Sequence, residues 1–429
     1  MKKRLWQLSA LALILLIAGF VFWLNQDRLL GHIVLPKDSL AFAEQIKQIR
    51  AERKWSDATG YKPKLTRRIL LESRQKGCSF LVNNQKPEGN FNYEYDFVAK
   101  KQASDDNQVR QAGALWGVVL CHQFEPTPAT KAAIEKGLDF FFRNTDRGPR
   151  DTLAIYYPGQ KTVATGTVAL VSLAIIDYLR TSPELTPERI AELNAKLDGY
   201  LKFLKAMQFP AGDFSYGTTR GVSVRIGRSS PYFDGEAQLA LTKAIKYLDR
   251  REYLPVEQKA AAMTAKKYTV DAWRKKQDSD LTKSFYQWSN MAFTEYWQAN
   301  FENAATYADT VLALSWWMVH THHILNRSRN TGYAYEGLAH AYHVAKTLGD
   351  APAAAELAKV IDKGLYELTT WQVEGPLYQK NKYLRGHRTE DPLAVGGIMN
   401  ASNKPGLRID VTQHQMHAVI LALKYLYTE

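Results

Sequence analysis

Cysteine is nearly absent: only Cys78 and Cys121 occur in 429 residues. No metal-binding motif uses them, which excludes a thiolate metal centre. Both fall in helical patterns, where buried free thiols are common; an oxidising compartment would permit a disulfide instead. Strand signals are missing too. No alternating apolar–polar run of convincing length appears, which argues against a sheet-based architecture. Long charge-free apolar runs are scarce, and the one from Leu5 to Leu24 has the length of a bilayer span. Lys2, Lys3 and Arg4 precede it and orient its N-terminal end toward the cytoplasm. Asn25-Gln26-Asp27-Arg28 follows with no small-x-small cleavage site, so an uncleaved anchor is expected. That reading gives a single-pass protein of the inner membrane, with the remaining chain facing the periplasm.

What is present is apolar and basic. Hydrophobic residues make up 45% and aromatics 12%, ample for a large core. The formal charge of +13 favours acidic partners; a solvated lysine-rich exterior is the plain alternative. An external location argues against nucleic acid as the partner and leaves anionic lipid headgroups and acidic polymers.

Three segments follow: 1–24 as N-terminus and anchor, 25–62 as a polar stem with one short helix, and 63–429 as an all-α domain. Thr127-Pro128 and Thr186-Pro187 mark helix starts with an N-cap followed by proline, and Asp350 caps the helix holding Pro352. Ile190, Leu193, Leu197, Leu201 and Leu204 form the stripe of an amphipathic helix. Residues 168–179 are apolar nearly all round, as in a helix buried on every side. Taken in order the helices pair: 63–84 with 107–124, 128–144 with 163–181, 187–208 with 232–248, 255–277 with 284–300, 304–326 with 331–348, and 351–371 with 409–427. The first of each pair is more charged and the second richer in small residues. Connections between pairs are short. Several within pairs are long, at 85–106, 145–162, 209–231 and 372–408, and long loops in compact domains usually serve function.

Six outer–inner pairs resemble the (α/α)6 toroid, six helical hairpins in a ring, of the six-hairpin glycosidase superfamily. That resemblance implies a sugar-acting enzyme: a glycoside hydrolase, a polysaccharide lyase or an epimerase. Gln85-Lys86-Pro87-Glu88-Gly89-Asn90-Phe91 and Gln208-Phe209-Pro210-Ala211-Gly212-Asp213-Phe214 also resemble the glutamine–glycine–aromatic turns of terpenoid-cyclase toroids. The aspartate-rich motif of those cyclases is absent, because Asp105-Asp106-Asn107 is not followed by the required acids.

The starts of the inner helices carry the candidate chemistry. Acid–base work on a glycosidic bond takes two carboxylates flanking it, and Asp105, Asp106, Asp234, Glu236, Glu336 and Asp410 are the candidates. Each acid also has a capping role open to it, since carboxylates stabilise helix N-termini. Asn107, Arg110, Gln111, Arg228, Tyr232, Trp288, Tyr333, Arg408 and His414 are the substrate-binding candidates. Arg110, Arg228 and Arg408 suit the carboxylates or sulfates of an acidic polymer. A uronic-acid polymer would open lysis or epimerisation, with His414 or a tyrosine as base.

Metal and cofactor are expected to be absent. His320 and His323 share one helix face, as do His340 and His343, but the two pairs are offset by roughly 9 Å at 1.5 Å per residue, too far for one closed zinc site. The leading reading is a glycoside hydrolase acting on an envelope polysaccharide. A lyase or uronyl epimerase is the enzymatic alternative. A non-catalytic polymer-binding subunit, working with envelope-polymer assembly proteins, is the alternative of another class. A partner-protein scaffold would show an open, shallow concave face instead of a closed ring.

Overall fold

A computed structural model describes residues 35, 37, 40–220 and 222–428. The expected anchor, Leu5–Leu24, lies outside the described residues. Among those described, no helix is long and apolar enough to cross a membrane.

A short helix, α1 (Phe42–Glu52), comes first. Twelve long helices then form six hairpins among the described residues: α2 (Arg67–Asn83) with α3 (Gln108–Phe124), α4 (Pro128–Arg143) with α5 (Thr165–Thr181), and α6 (Pro187–Met207) with α7 (Pro231–Leu248). The fourth outer element is split into α8 (Leu254–Tyr268) and α9 (Val270–Lys275), and pairs with α10 (Asp280–Gln298). The last two hairpins are α11 (Ala304–His320) with α12 (Gly332–Leu348), and α13 (Ala351–Thr369) with α15 (Ile409–Tyr425); a single turn, α14 (Lys382–Gly386), lies in the last loop. The split is a departure from the single helix expected over 255–277. At Thr269 the backbone turns to φ −112°, ψ −96°, and the Thr269 hydroxyl donates to the Ala265 carbonyl. A side chain that competes for backbone acceptors in this way loosens a helix.

Local chemistry sets the starts. Thr127 and Thr130 form a capping box at α4, Thr186 accepts from Arg189 N at α6, and Asp350 accepts from Ala353 N at α13. The second helix of each pair is the buried one: in α5 every residue from Thr165 to Tyr178 is inaccessible. α3 packs on α5, α5 on α7, α7 on α10, α10 on α12, α12 on α15, and α15 back on α3, which closes the ring. The first helices of the pairs lie outside it, α2 against α15 and α3, α11 against α10 and α12, α13 against α12 and α15.

Strands appear where none was expected, all within the long loops. β1 (Glu94–Asp96), β2 (Lys101–Gln102), β3 (Thr145–Arg147), β4 (Leu153–Ile155), β5 (Thr162–Ala164), β6 (Ser215–Thr219), β7 (Val222–Ser229) and β8 (Gly406–Arg408) build three small antiparallel sheets. Most are three residues or fewer, too short to show a period of two. They join neighbours: β8 pairs with β1 across the last and first hairpins, and β5 with β6 across the second and third.

The glutamine–glycine–aromatic turns have a structural task. Gln85 Nε2 donates to the carbonyls of Gly89 (3.0 Å) and Ala133 (2.8 Å). Gln208 Nε2 does the same to Gly212 (2.9 Å) and Val256 (2.8 Å), and Gln372 Nε2 to Ser73 (2.9 Å) and Gly396 (3.0 Å). Each amide closes its own turn and hooks it to a neighbouring outer helix.

The segment read as a stem is strapped to the ring. Arg50 pairs with Asp309 (2.7 Å) and Asp350 (2.8 Å). Trp316 Nε1 donates to the Lys54 carbonyl at 3.1 Å, and Asp362 accepts from Tyr61 and from the amides of Lys64 and Leu65.

Cys78 on α2 and Cys121 on α3 are joined in a disulfide, Cα atoms 5.9 Å apart and 43 residues apart in sequence; they are not the free thiols that helix burial suggested. The bridge staples the first hairpin. Replacing both with alanine should cost about 2–4 kcal/mol by releasing that loop in the unfolded chain. Urea unfolding of wild type and double variant measures it, and superimposable curves would show the bridge to be dispensable.

Candidate active site

The six inner helices begin on the face from which the long loops emerge, and a cavity of about 410 Å³ opens there. Nine of the expected site residues line it: Asn107, Arg110, Tyr232, Glu236, Trp288, Tyr333, Arg408, Asp410 and His414. They come from α3, α7, α10, α12 and α15 and the loop ends before them. Asn107 has a second task as the cap of α3, its side chain accepting from the amides of Val109 and Arg110.

The other six lie elsewhere. Asp105 faces a shallow groove with Glu94, Lys101 and Arg329. Asp106 accepts from Tyr157 OH (2.6 Å) and Gln111 Nε2 (2.7 Å). Gln111 is buried, clamping Phe91 through both its amide (2.7 Å) and its carbonyl (2.8 Å). Asp234 is the same clamp in the third hairpin: it accepts from Phe214 N at 2.7 Å and Tyr268 OH at 2.5 Å. Burial pushes its pKa up to about 7, against the pull of Tyr268 and the Phe214 amide. Glu336 is fully buried beneath His414. Arg228 is exposed on β7 and does not line the cavity.

Two carboxylates remain at the cavity, on opposite sides of the ring. Glu236 projects from α7, and Asp410 from α15; two inner helices separate them in either direction. Their environments are opposite. Glu236 is 3% exposed, and its Oε2 has no hydrogen-bond partner among the described residues. Burial therefore drives its pKa well above 4.5, because desolvation penalises the charged form. Gly166 on α5 makes room for it: a Cβ there would collide with Glu236 Oε2 and the Phe233 ring. Burial acts on Asp410 in the same sense, but Arg408 grips it with Nε (2.9 Å) and Nη2 (2.8 Å), and Arg110 Nε stands at 3.1 Å. Those cations, with His414, win and hold Asp410 below the usual carboxylate range.

His414 Nδ1 lies 3.1 Å from Glu336 Oε1, and His417 Nδ1 lies 3.1 Å from the same oxygen. Burial would lower the His414 pKa, but the Glu336 charge and hydrogen bond raise it. Glu336 answers in the complementary direction, below its ordinary value, because its two histidines outweigh burial. The result is a partly exposed imidazole at the cavity whose protonated form is favoured by a buried anion.

Sequence reasoning missed Lys283, in the first turn of α10. It lines the cavity between the rings of Tyr232 and Tyr333, with Nζ 5.9 and 5.1 Å from their centroids. Nothing in the spacing sets it apart from the other basic residues.

No protein-family model matches the chain, and no curated protein matches it. Solved structures do. A D-mannose isomerase aligns over 86% of this chain and 100% of its own, with a TM-score of 0.60 and 12% identity. The cellobiose 2-epimerase of Bacillus thermoamylovorans aligns over 82% and 97%, at 0.58 and 10%. A GH76 α-mannanase of Bacteroides thetaiotaomicron aligns over 83% and 96%, at 0.55 and 11%. The fold is an (α/α)6 toroid, the same overall course of chain as in these structures. In this toroid the closed ring of inner helices replaces the shallow face that a helical scaffold would present. At such identities the likeness is one of fold, and the chemistry has to be argued from this chain's own cavity.

Proposed function

We propose that this toroid is a glycan-processing enzyme, and within that class a glycoside hydrolase. One observation carries the reading: two carboxylates face one cavity from opposite walls, burial favouring the protonated form of one and arginines the ionised form of the other. Paired acids with pKa values driven apart are the signature of divided acid–base roles. Glu236 protonates the departing glycosidic oxygen. Water adds to the anomeric carbon, and Asp410, facing the positive charge that develops there, accepts its proton. Tyr232, Tyr333 and Trp288 offer faces to the sugar rings. The sugar-acting names of the structural neighbours support the class. A binding subunit would have no use for a solvent-starved, unbonded carboxyl group.

His414 on Glu336 favours a second reading, lysis or epimerisation of a uronic-acid polymer, in which an imidazole moves the proton beside the sugar carboxylate. We also assign the chain to the inner membrane, anchored by Leu5–Leu24 with the toroid in the periplasm; the disulfide supports an oxidising compartment.

Incubating the full chain with acidic and neutral envelope polymers tests the main reading. Product mass is the readout. Fragments that have each gained one water, with new reducing ends, are expected. Unsaturated ends would transfer the assignment to a lyase, and polymer that is bound but intact would leave a binding protein.

A further inference from the structure

The charges around the cavity do not balance. Of the arginines expected to hold an acidic substrate, the two at the cavity are engaged, since Arg408 and Arg110 share Asp410. Glu336 is shared by His414 and His417, and burial favours the neutral form of Glu236. Lys283 has no carboxylate within ion-pair distance among the described residues; its Nζ donates to Tyr232 OH at 3.2 Å. The nearest acid in sequence, Asp280, is exposed and pairs with Lys276 at 3.1 Å. Burial lowers the Lys283 pKa, but the two tyrosines and Asp280 prevail and raise it, so the ammonium stays charged. A half-buried cation with an open side, set between two rings at the cavity wall, lacks the counter-charge that a structural lysine would have.

Resting on the reading of this cavity as a sugar site, we propose that Lys283, framed by Tyr232 and Tyr333, receives an anionic substituent of the sugar, making the substrate an acidic glycan. The tyrosine rings flank the sugar, and the ammonium meets its carboxylate, sulfate or phosphate as a point charge. Lysine contacts of this kind select for charge more than for planar geometry, so the three sources have to be separated by experiment.

Calorimetric titration of the full-length protein with four trisaccharide probes does so: a uronide, its carboxyl-reduced neutral counterpart, a sulfated form and a phosphorylated form. At least one anionic probe should bind about tenfold tighter than the neutral one, as one added charge contact allows. The probe that does so names the substituent. Lys283→Met should close that gap, and Lys283→Arg should keep most of it. Equal binding of all four probes by the wild type, or a gap that survives Lys283→Met, overturns the proposal. Binding is read apart from turnover, so a charge preference without hydrolysis would sink the hydrolase reading and leave this one standing.

Discussion

Glu236→Gln should lower kcat/KM by about 10²–10⁴-fold, the usual worth of a positioned general acid, without weakening the fold. The two halves of that expectation have one cause. Glu236 sits in a site that favours the neutral carboxyl, with Oε2 unbonded. Glutamine matches its shape and is neutral at every pH, so packing survives while the transferable proton is lost. The linkage sign is fixed by the raised pKa. Below the ordinary carboxyl value of 4.5 the group is protonated folded and unfolded alike, and its contribution is fully present. As pH rises, the unfolded chain ionises first, and stability falls until the buried group itself ionises. The glutamine variant lacks that slope. At pH 7 it should therefore be at least as stable as wild type in urea while nearly inactive. A variant that loses stability and activity together would make Glu236 a structural residue.

Asp177→Ala should cost about 3–5 kcal/mol, the toll of stranding a buried partner charge. Asp177, on α5, is fully buried, and Lys243, on α7, is 7% exposed. Lys243 Nζ lies 2.5 Å from Asp177 Oδ2, which also accepts from Trp116 Nε1 on α3 at 2.9 Å; Arg180 holds the other oxygen at 2.8 Å. One carboxylate thus ties three consecutive inner helices away from the cavity. Removing it leaves an ammonium and an indole N–H buried without their acceptor. Replacing the pair together, Asp177→Leu with Lys243→Met, should recover much of the loss, because well-packed apolar residues often substitute for a buried ion pair at little cost. A loss under about 1 kcal/mol in the single variant would show that this network does not hold the ring.

The ring was legible in the sequence because its signals are local. Threonine caps, prolines at first turns and the contrast between amphipathic and all-round apolar helices gave the hairpins in order. Loop lengths gave the face that bears the cavity. The direction of individual side chains was not legible. Asp234 and Glu236 are two residues apart on α7, about 200° around a helix, so one faces the outer layer and the other the cavity. Their helix start looks the same either way. A signal that separated them was present: the Gln111 and Asp234 clamps each stand 20 residues beyond the aromatic amide they hold, so the repeated turn already marked Asp234 as structural. Arg408 and Arg110 look like substrate cations in sequence, but only the fold reveals that Asp410 occupies both. Cys78 and Cys121 were placed on adjacent helices, and their facing register needed the packing.

The central claim is that Glu236 and Asp410 divide the acid and base roles across the bowl. The pH dependence of kcat/KM on an aryl glycoside, whose better leaving group draws less on the acid and so leaves the variant measurable turnover, tests it most directly when wild type and Glu236→Gln are compared. The wild type should give a bell, falling on the acid side as Asp410 takes up a proton below the usual carboxylate range, and on the alkaline side as Glu236 loses one above it. Glu236→Gln should keep the acid limb and lose the alkaline one. An alkaline limb unchanged in the variant would contradict the assignment.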